Sequence, residues 1–203
     1  MKKLIVVAMV CAMAAPAMAQ FIGLPYADSA AAPAQGLLRV SGGVVIGDEA
    51  NAYGGRFTYG LIEGLALFAD LGMIDPDGGD TGVCYQGGGK FTLPLELPVD
   101  VALRGVVGMS SFDVGPADMD VFDVNVGALI SKDMDMFTPY GFIGLDYEDA
   151  EVDIPGVVSA SDDETNVAIA GGVLFSLTEQ LSFYGEIAYI DDPYFGLGGR
   201  FTF

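Results

Sequence analysis

Whatever chemistry this chain performs is done without histidine, since its 203 residues include none, against 28 acidic and eight basic ones. A Ser-His-Asp or Cys-His arrangement is therefore impossible, and so is a histidine-ligated metal site. Carboxylate chemistry remains. A hairpin folded symmetrically about Lys132–Met136 sets Asp146 opposite Asp123, the placement of a carboxylate dyad. Like charges so opposed are unfavourable unless neutralised, and a hard divalent cation held by Asp123, Asp146 and Glu148 would do so weakly. Around them Asp149, Glu151, Asp153, Asp162, Asp163 and Glu164 crowd the longest predicted loop, beside Asp75, Asp77 and Asp80. Such loops can supply oxygens to calcium at roughly millimolar affinity, with ordering of residues 149–164 on binding. The stretch Asp75-Pro76-Asp77-Gly78-Gly79-Asp80 lacks EF-hand spacing, so no metal site is assigned with confidence and a solvated acidic surface is the plainer reading. Cys84 has no base near it in sequence and reads as a small filler.

The elements that must position these residues are strands. Met1–Ala19 carries two lysines, an apolar run from Leu4 to Ala14, and Ala17-Met18-Ala19 as a small-x-small cleavage site, the pattern of a Sec signal peptide. An alternative acylation at Cys11 sits poorly, because that cysteine lies inside the apolar run. Cleavage before Gln20 removes Lys2, Lys3 and Cys11, leaving six basic residues against 28 acidic, net −22, and one thiol. Such a chain has no disulfide within it and does not seek nucleic acid or an anionic lipid surface. Beyond residue 19 no run approaches the ~20 apolar residues of a membrane helix, although 52% of the chain is hydrophobic. Any membrane span must be made of strands.

Residues 20–35 are rich in Ala and Pro without period and are expected to be a leader or linker. Residues 36–203 then alternate in ten runs: 36–46, 50–62, 65–75, 83–93, 99–111, 119–131, 137–148, 165–177, 180–191 and 194–203. Connections alternate between tight turns (Glu63-Gly64, 94–98, 132–136, Thr178-Glu179) and a set that includes the longer 75–82 and 149–164. The fold class is therefore all-β, a single antiparallel up-and-down barrel of ten strands, with eight as the alternative. One face is apolar throughout, as in Leu65, Leu67, Leu71, Met73 or Phe195, Leu197, Phe201, Phe203. The other carries Arg39, Arg56, Lys90, Arg104 and Arg200 against Asp70, Asp100, Asp123, Asp146 and Glu186, among glycines. Matched charge on one face of an otherwise acidic protein points to a lumen. A soluble lipocalin-like barrel would reverse the faces. Glycine on the charged face, making room for arginines, and rings at both ends of the apolar face favour the membrane form.

The chain ends Gly198-Gly199-Arg200-Phe201-Thr202-Phe203, and copies of this strand occur as Gly54-Gly55-Arg56-Phe57-Thr58-Tyr59 and Gly88-Gly89-Lys90-Phe91-Thr92-Leu93. With the signal peptide and the ten alternating runs, the terminal Gly198-x-x-Phe201-x-Phe203 resembles small Gram-negative outer-membrane β-barrel proteins, porin-like or of the OmpA-transmembrane-domain type. Gly196 stands where that signal usually begins with a polar residue. The resemblance implies an outer-membrane location, lipid and lipopolysaccharide as surroundings, divalent ions shared loosely with lipopolysaccharide, and the barrel-assembly machinery as the partner that reads Gly198, Phe201 and Phe203. The histidine-dependent enzymes among small barrels have no counterpart here. The sequence thus points to a non-enzymatic barrel without cofactor, its lumen largely plugged by a network of paired charges, with Arg39, Arg56, Lys90 and Arg200 as a basic layer near the turns, Arg56 diagonal to Asp70 and Arg200 diagonal to Glu186. A narrow channel for ions or small solutes is the alternative, and a surface-binding role resting on the loops is a third.

Phe203→Ala is expected to lower the yield of assembled barrel far more than it destabilises barrels already folded. Quantifying the protein in the outer-membrane fraction checks this, and an unchanged yield would count against an assembly role.

Overall fold

The computed structural model describes residues 28–48, 50–154, 158–190 and 192–203. The predicted signal peptide, residues 1–19, lies outside them. Ten strands follow one another: β1 (Leu38–Ile46), β2 (Ala50–Ile62), β3 (Leu65–Pro76), β4 (Gly82–Thr92), β5 (Asp100–Val114), β6 (Ala117–Ser131), β7 (Phe137–Ile154), β8 (Val158–Ser176), β9 (Leu181–Tyr189) and β10 (Pro193–Thr202). Each pairs antiparallel with its neighbours in sequence, and β1 closes on β10 from Arg39 opposite Thr202 to Ile46 opposite Phe195. Closure leaves no free edge, so backbone N–H and C=O groups are paired without water, as a lipid environment demands. Ten strands, not eight, close the barrel.

Period-two alternation drives this architecture, because successive side chains of a strand point to opposite faces. On β7 the outward positions Phe137, Ile143, Leu145 and Tyr147 are exposed and apolar. Asp149, Glu151 and Asp153 follow them on the same face. Ten steps from Phe137 to Tyr147 at ~3.3 Å, tilted by about 40°, make a band roughly 25 Å tall, the height of an outer-membrane hydrocarbon layer. Pairs of rings six residues apart, the spacing evident in sequence, understate this height because the apolar face continues past them.

Three features differ from the sequence reading. Residues 149–164, expected as a loop, are mostly strand: β7 and β8 run on as a hairpin with Glu148 opposite Glu164 and Asp153 opposite Ser159. Of the acidic residues that suggest a loop, Asp149, Glu151, Asp153 and Asp163 share the outward face, Glu164 stands on the inward face opposite Glu148, and Ala150 and Val152 point inward and are buried. The asymmetry between the ends of the barrel is thus carried by protruding hairpins, β5–β6 and β7–β8, rather than by long loops. The third difference is at the other end. Residues 28–35, within the expected leader 20–35, enter the turn-side mouth, with Asp28, Ser29 and Ala30 buried. Gly60 lets them pass, since a Cβ there would lie 2.7 Å from the carbonyl oxygen of Pro33. Next to it the register of β2 against β3 slips by one residue between Gly60 and Ile62, ahead of the Glu63-Gly64 turn, where Gly64 takes φ +77°.

Inward glycines, expected to make room for arginines, lie instead against rings, as at Gly88, Gly127, Gly144 and Gly172. The Phe142 ring lies flat across two strands, and Cβ atoms added at Gly127 and Gly144 would fall 2.5 and 2.6 Å from it. Phe68 covers Gly88 in the same way, and Tyr140 covers Gly172. Flat aromatic cover over glycine fills a narrow lumen that staggered side chains on every strand would overfill.

Gly144→Val is therefore expected to cost at least the ~1–3 kcal/mol of an overpacked site, and to diminish the compact band that unboiled protein gives on a gel. Gly171→Val, on the outward face where the nearest atom to an added Cβ is the Tyr140 carbonyl oxygen at 3.9 Å, should leave that band intact. Equal loss in both variants would contradict the ring-on-glycine packing.

Candidate functional site

The lumen is built in rows. Antiparallel register carries one inward row from Ser182 through Arg200, Ser41, Arg56, Asp70, Gln86, Gly108 and Asp123 to Glu148 and Glu164. Strand tilt makes it climb from the turn side to the hairpin side. Cations come early in the row and acids late.

At its centre Arg56 donates from Nε to Asp70 Oδ1 at 2.7 Å and from Nη2 to Asp70 Oδ2 at 2.6 Å. The Gln86 amide also donates to Asp70 Oδ2, and the guanidinium lies 4.4 Å above the Phe68 ring. This is the fork geometry that makes Arg–carboxylate pairs directional. The row directly beneath holds Phe68, Asn125 and Asp146. Arg104, from the row below that, donates from Nη1 to Asn125 Oδ1 at 3.0 Å. Asn125 donates onward to the Leu145 carbonyl at 3.2 Å and Asp146 Oδ1 at 3.4 Å. Phe68 and Phe142 flank the Arg104 guanidinium at 5.4 and 5.7 Å.

The turn-side layer is organised by a residue that the sequence reading left in the leader. Asp28 accepts from Arg200 Nη2 at 2.6 Å and from Lys90 Nζ at 3.3 Å. Lys90 also donates to the carbonyls of Ser29 at 2.5 Å and Ala31 at 3.3 Å, and Arg39 Nη1 donates to Ala31 at 3.3 Å. Thr92 and Ser131 tie down the backbone of Ala30. Lys90 is 2% exposed and Asp28 6%. Above the membrane band the polarity of the wall reverses. Ile74, Cys84, Phe112, Met119, Val121 and Val152 pack together inside the hairpins, while Asp113, Asp118, Asp120, Glu151 and Asp153 face out.

Of the sequence candidates, Arg56, Asp70, Lys90, Arg104, Asp123, Asp146, Glu186 and Arg200 are all buried inward and Arg39 is half-buried beside them. Their pairing differs. Arg56 faces Asp70 directly rather than diagonally, and Arg200 turns to Asp28 rather than Glu186. The β6–β7 hairpin is two residues out of the symmetric register, so Asp123 opposes Glu148 and Asp146 opposes Asn125. The wider turn, in which Lys132 N–H bonds to the Pro139 carbonyl and Asp135 takes φ +64°, sets that offset. Asp123, Asp146 and Glu148 accordingly make no three-ligand group, and none that could hold a metal ion is found among the described residues. The described residues of 149–164, where ordering on calcium binding is expected, are already strand. Opposed acids remain on the outer hairpins, Asp113 with Asp118 and Asp118 with Asp153. Local desolvation, then Asp113, Asp153 and Asp120, push the Asp118 carboxyl up from its ordinary value.

Asn125, Gln86 and the lumen rings escaped the sequence reading because charge, not polarity or aromaticity, was the signal followed. Their inward parity was legible. The terminal Phe201 and Phe203 face outward with their rings 4.8 Å apart, and Gly198 lies inward beneath Tyr184.

A family model described as outer membrane protein β-barrel domain matches residues 4–194. No curated protein matches the chain. Among solved structures, the chain is similar to the outer membrane protein OprG of Pseudomonas aeruginosa, with 15% identity over 87% of this chain and 99% of that one and a TM-score of 0.43. It is similar too to the N-terminal β-barrel domain of OprF from the same organism, at 15% identity over 84% and 100% with a TM-score of 0.42. The Yersinia pestis outer membrane protein Ail in a phospholipid bilayer nanodisc gives 14%, 83%, 100% and 0.42. These are likenesses of barrel architecture alone.

Asp70→Leu should destabilise the barrel by about 3–5 kcal/mol, because it leaves the Arg56 charge buried without its carboxylate. Combining it with Arg56→Met should recover most of that loss. Urea titration in detergent micelles measures both, and an additive double variant would show that the two residues do not act as a pair.

Proposed function

The chain belongs to the outer membrane protein β-barrel family, and we propose that it is a non-enzymatic member with a plugged, charge-paired lumen, serving the Gram-negative outer membrane as a structural element or surface-interaction module. Export by the Sec pathway, assembly by the barrel-assembly machinery, and contact with lipid, lipopolysaccharide and loosely shared divalent ions belong to the same proposal. The observation that carries it is the filling of the lumen at successive heights. The segment from Asp28 occupies the turn-side mouth, the Arg56–Asp70–Gln86 and Arg104–Asn125 groups occupy the middle, and the apolar cluster around Met119 occupies the hairpin end. Side chains of the wall and of the segment from Asp28 thus occupy the lumen at each of these heights, which supports the plugged reading. Buried pairs of this kind contribute specificity of register more than stability. For catalysis, the chain offers no histidine base, and the best-defined lumen acid, Asp70, is occupied by Arg56 and Gln86.

Planar-bilayer recordings of the refolded protein are expected to show no steady conductance. Sustained, sizeable openings would overturn the plugged reading in favour of a narrow channel for ions or small solutes.

A further inference from the structure

The turn-side mouth contains more positive charge than the barrel wall there can satisfy. Lys90 and Arg39 direct every hydrogen bond found for them to the segment Asp28–Ala31: Lys90 to Asp28, Ser29 and Ala31, and Arg39 to Ala31. Arg200 bonds to Asp28 and, at 3.4 Å, to the Ser41 hydroxyl. The wall adds repulsion, because Lys90 stands directly opposite Arg104 across β4 and β5. Without Asp28, three cations would face one another in a water-poor mouth with no carboxylate among these contacts, an arrangement that demands an anion.

The anion present is a side chain on a strap, not on a strand. Among the described residues, 28–35 have no ladder partner. A cavity of about 570 Å³ at the turn side is lined by Ala31 and Ala32 of the strap together with Glu63, Gly64, Thr92 and Asp100, so two carboxylates stand in its wall. The carboxylate therefore sits in a built cationic cup, on a segment flanked at Ala31 and Ala32 by that cavity.

Resting on the plugged-lumen reading, we propose that Arg39, Lys90 and Arg200 form an oxyanion-binding cup that the chain's own Asp28 fills, and that a soluble phosphate or carboxylate from the turn-side compartment enters by displacing the strap. The chemistry fits both classes, since two guanidiniums and an ammonium recognise planar and tetrahedral oxyanions alike. Competition is set by the tether. A carboxylate tethered by a short linker acts at an effective concentration in the millimolar range, so free oxyanion is expected to compete at tens of millimolar or above, working also against the bonds of Thr92 and Ser131 to Ala30. The strap is then a latch rather than a permanent wall.

The test uses the full mature chain carrying Cys84→Ser, to remove the lumen thiol, and Ser29→Cys as reporter in the buried strap. It is refolded in detergent micelles and labelled with a water-soluble maleimide. Labelling should be slow in chloride and about tenfold faster in ~50 mM inorganic phosphate at matched ionic strength, with saturation, as expected when most straps are displaced. Acetate in parallel separates carboxylate from phosphate preference. Asp28→Asn should label fast in chloride alone. In that variant, calorimetric titration with phosphate should show saturable binding that Lys90→Gln abolishes. Labelling that ignores phosphate, that responds equally to added chloride, or that stays slow in Asp28→Asn would overturn the cup, as would absence of phosphate binding to Asp28→Asn. A silent bilayer from the unaltered chain with phosphate-insensitive labelling removes the cup and leaves the plugged barrel standing. Steady conductance from the unaltered chain removes the plug instead.

Discussion

A closed sheet has no freedom to choose its neighbours one pair at a time. Once β1 meets β10, the offset of every hairpin contributes to a single closure, and each inward side chain belongs to a row that must fit around the whole barrel. The row through Arg200, Arg56, Asp70 and Asp123 shows the consequence. A slip of one residue in any hairpin would exchange its faces, sending charge into lipid and hydrocarbon into the lumen. A slip of two would keep the faces but break the Arg56–Asp70 fork. Charge pairs in the lumen thereby read the register that the turns set, which is a use of buried ionic groups that does not require them to be strongly stabilising.

The same sheet solves two solvation problems with opposite polarity. Within the apolar band its outer face meets lipid and its inner face carries the ion pairs. Beyond Tyr147 the outer positions become Asp149, Glu151 and Asp153, and the inner ones become Ala150 and Val152. The period of two never breaks along β7; only the residue classes assigned to its two phases are exchanged. Physically, the protruding hairpins continue the barrel wall with its polarity reversed, an apolar inner face held by the cluster of Phe112, Met119, Val121 and Val152 above the charged lumen. Opposed carboxylates on their outer faces cost little where water solvates both.

At the opposite end the closure is of another kind. There the wall presents cations, and a segment outside the sheet supplies the carboxylate and carbonyls that they need. Hydrocarbon packs together at one mouth and a salt bridge to a strap lies at the other, so the two ends differ in chemistry.

The sequence by itself determined the number of strands and the inward or outward parity of the side chains on them, with Arg56, Asp70, Lys90, Arg104, Asp123, Asp146, Glu186 and Arg200 facing in, because alternation is a local property that a strand cannot escape. It also showed, through the absence of histidine, which chemistries are closed to the chain. Tertiary structure decided which charge meets which. Hairpin offsets of two residues preserve alternation and leave no local trace, so Asp123 faces Glu148 and not Asp146 for reasons that lie in the turn and in closure around ten strands. Tertiary structure likewise decided that Asp28 is part of the lumen. Nothing in an Ala- and Pro-rich stretch marks it for burial; its place is set by Lys90 and Arg200, which are 62 and 172 residues away in the chain and come together only when the barrel is closed.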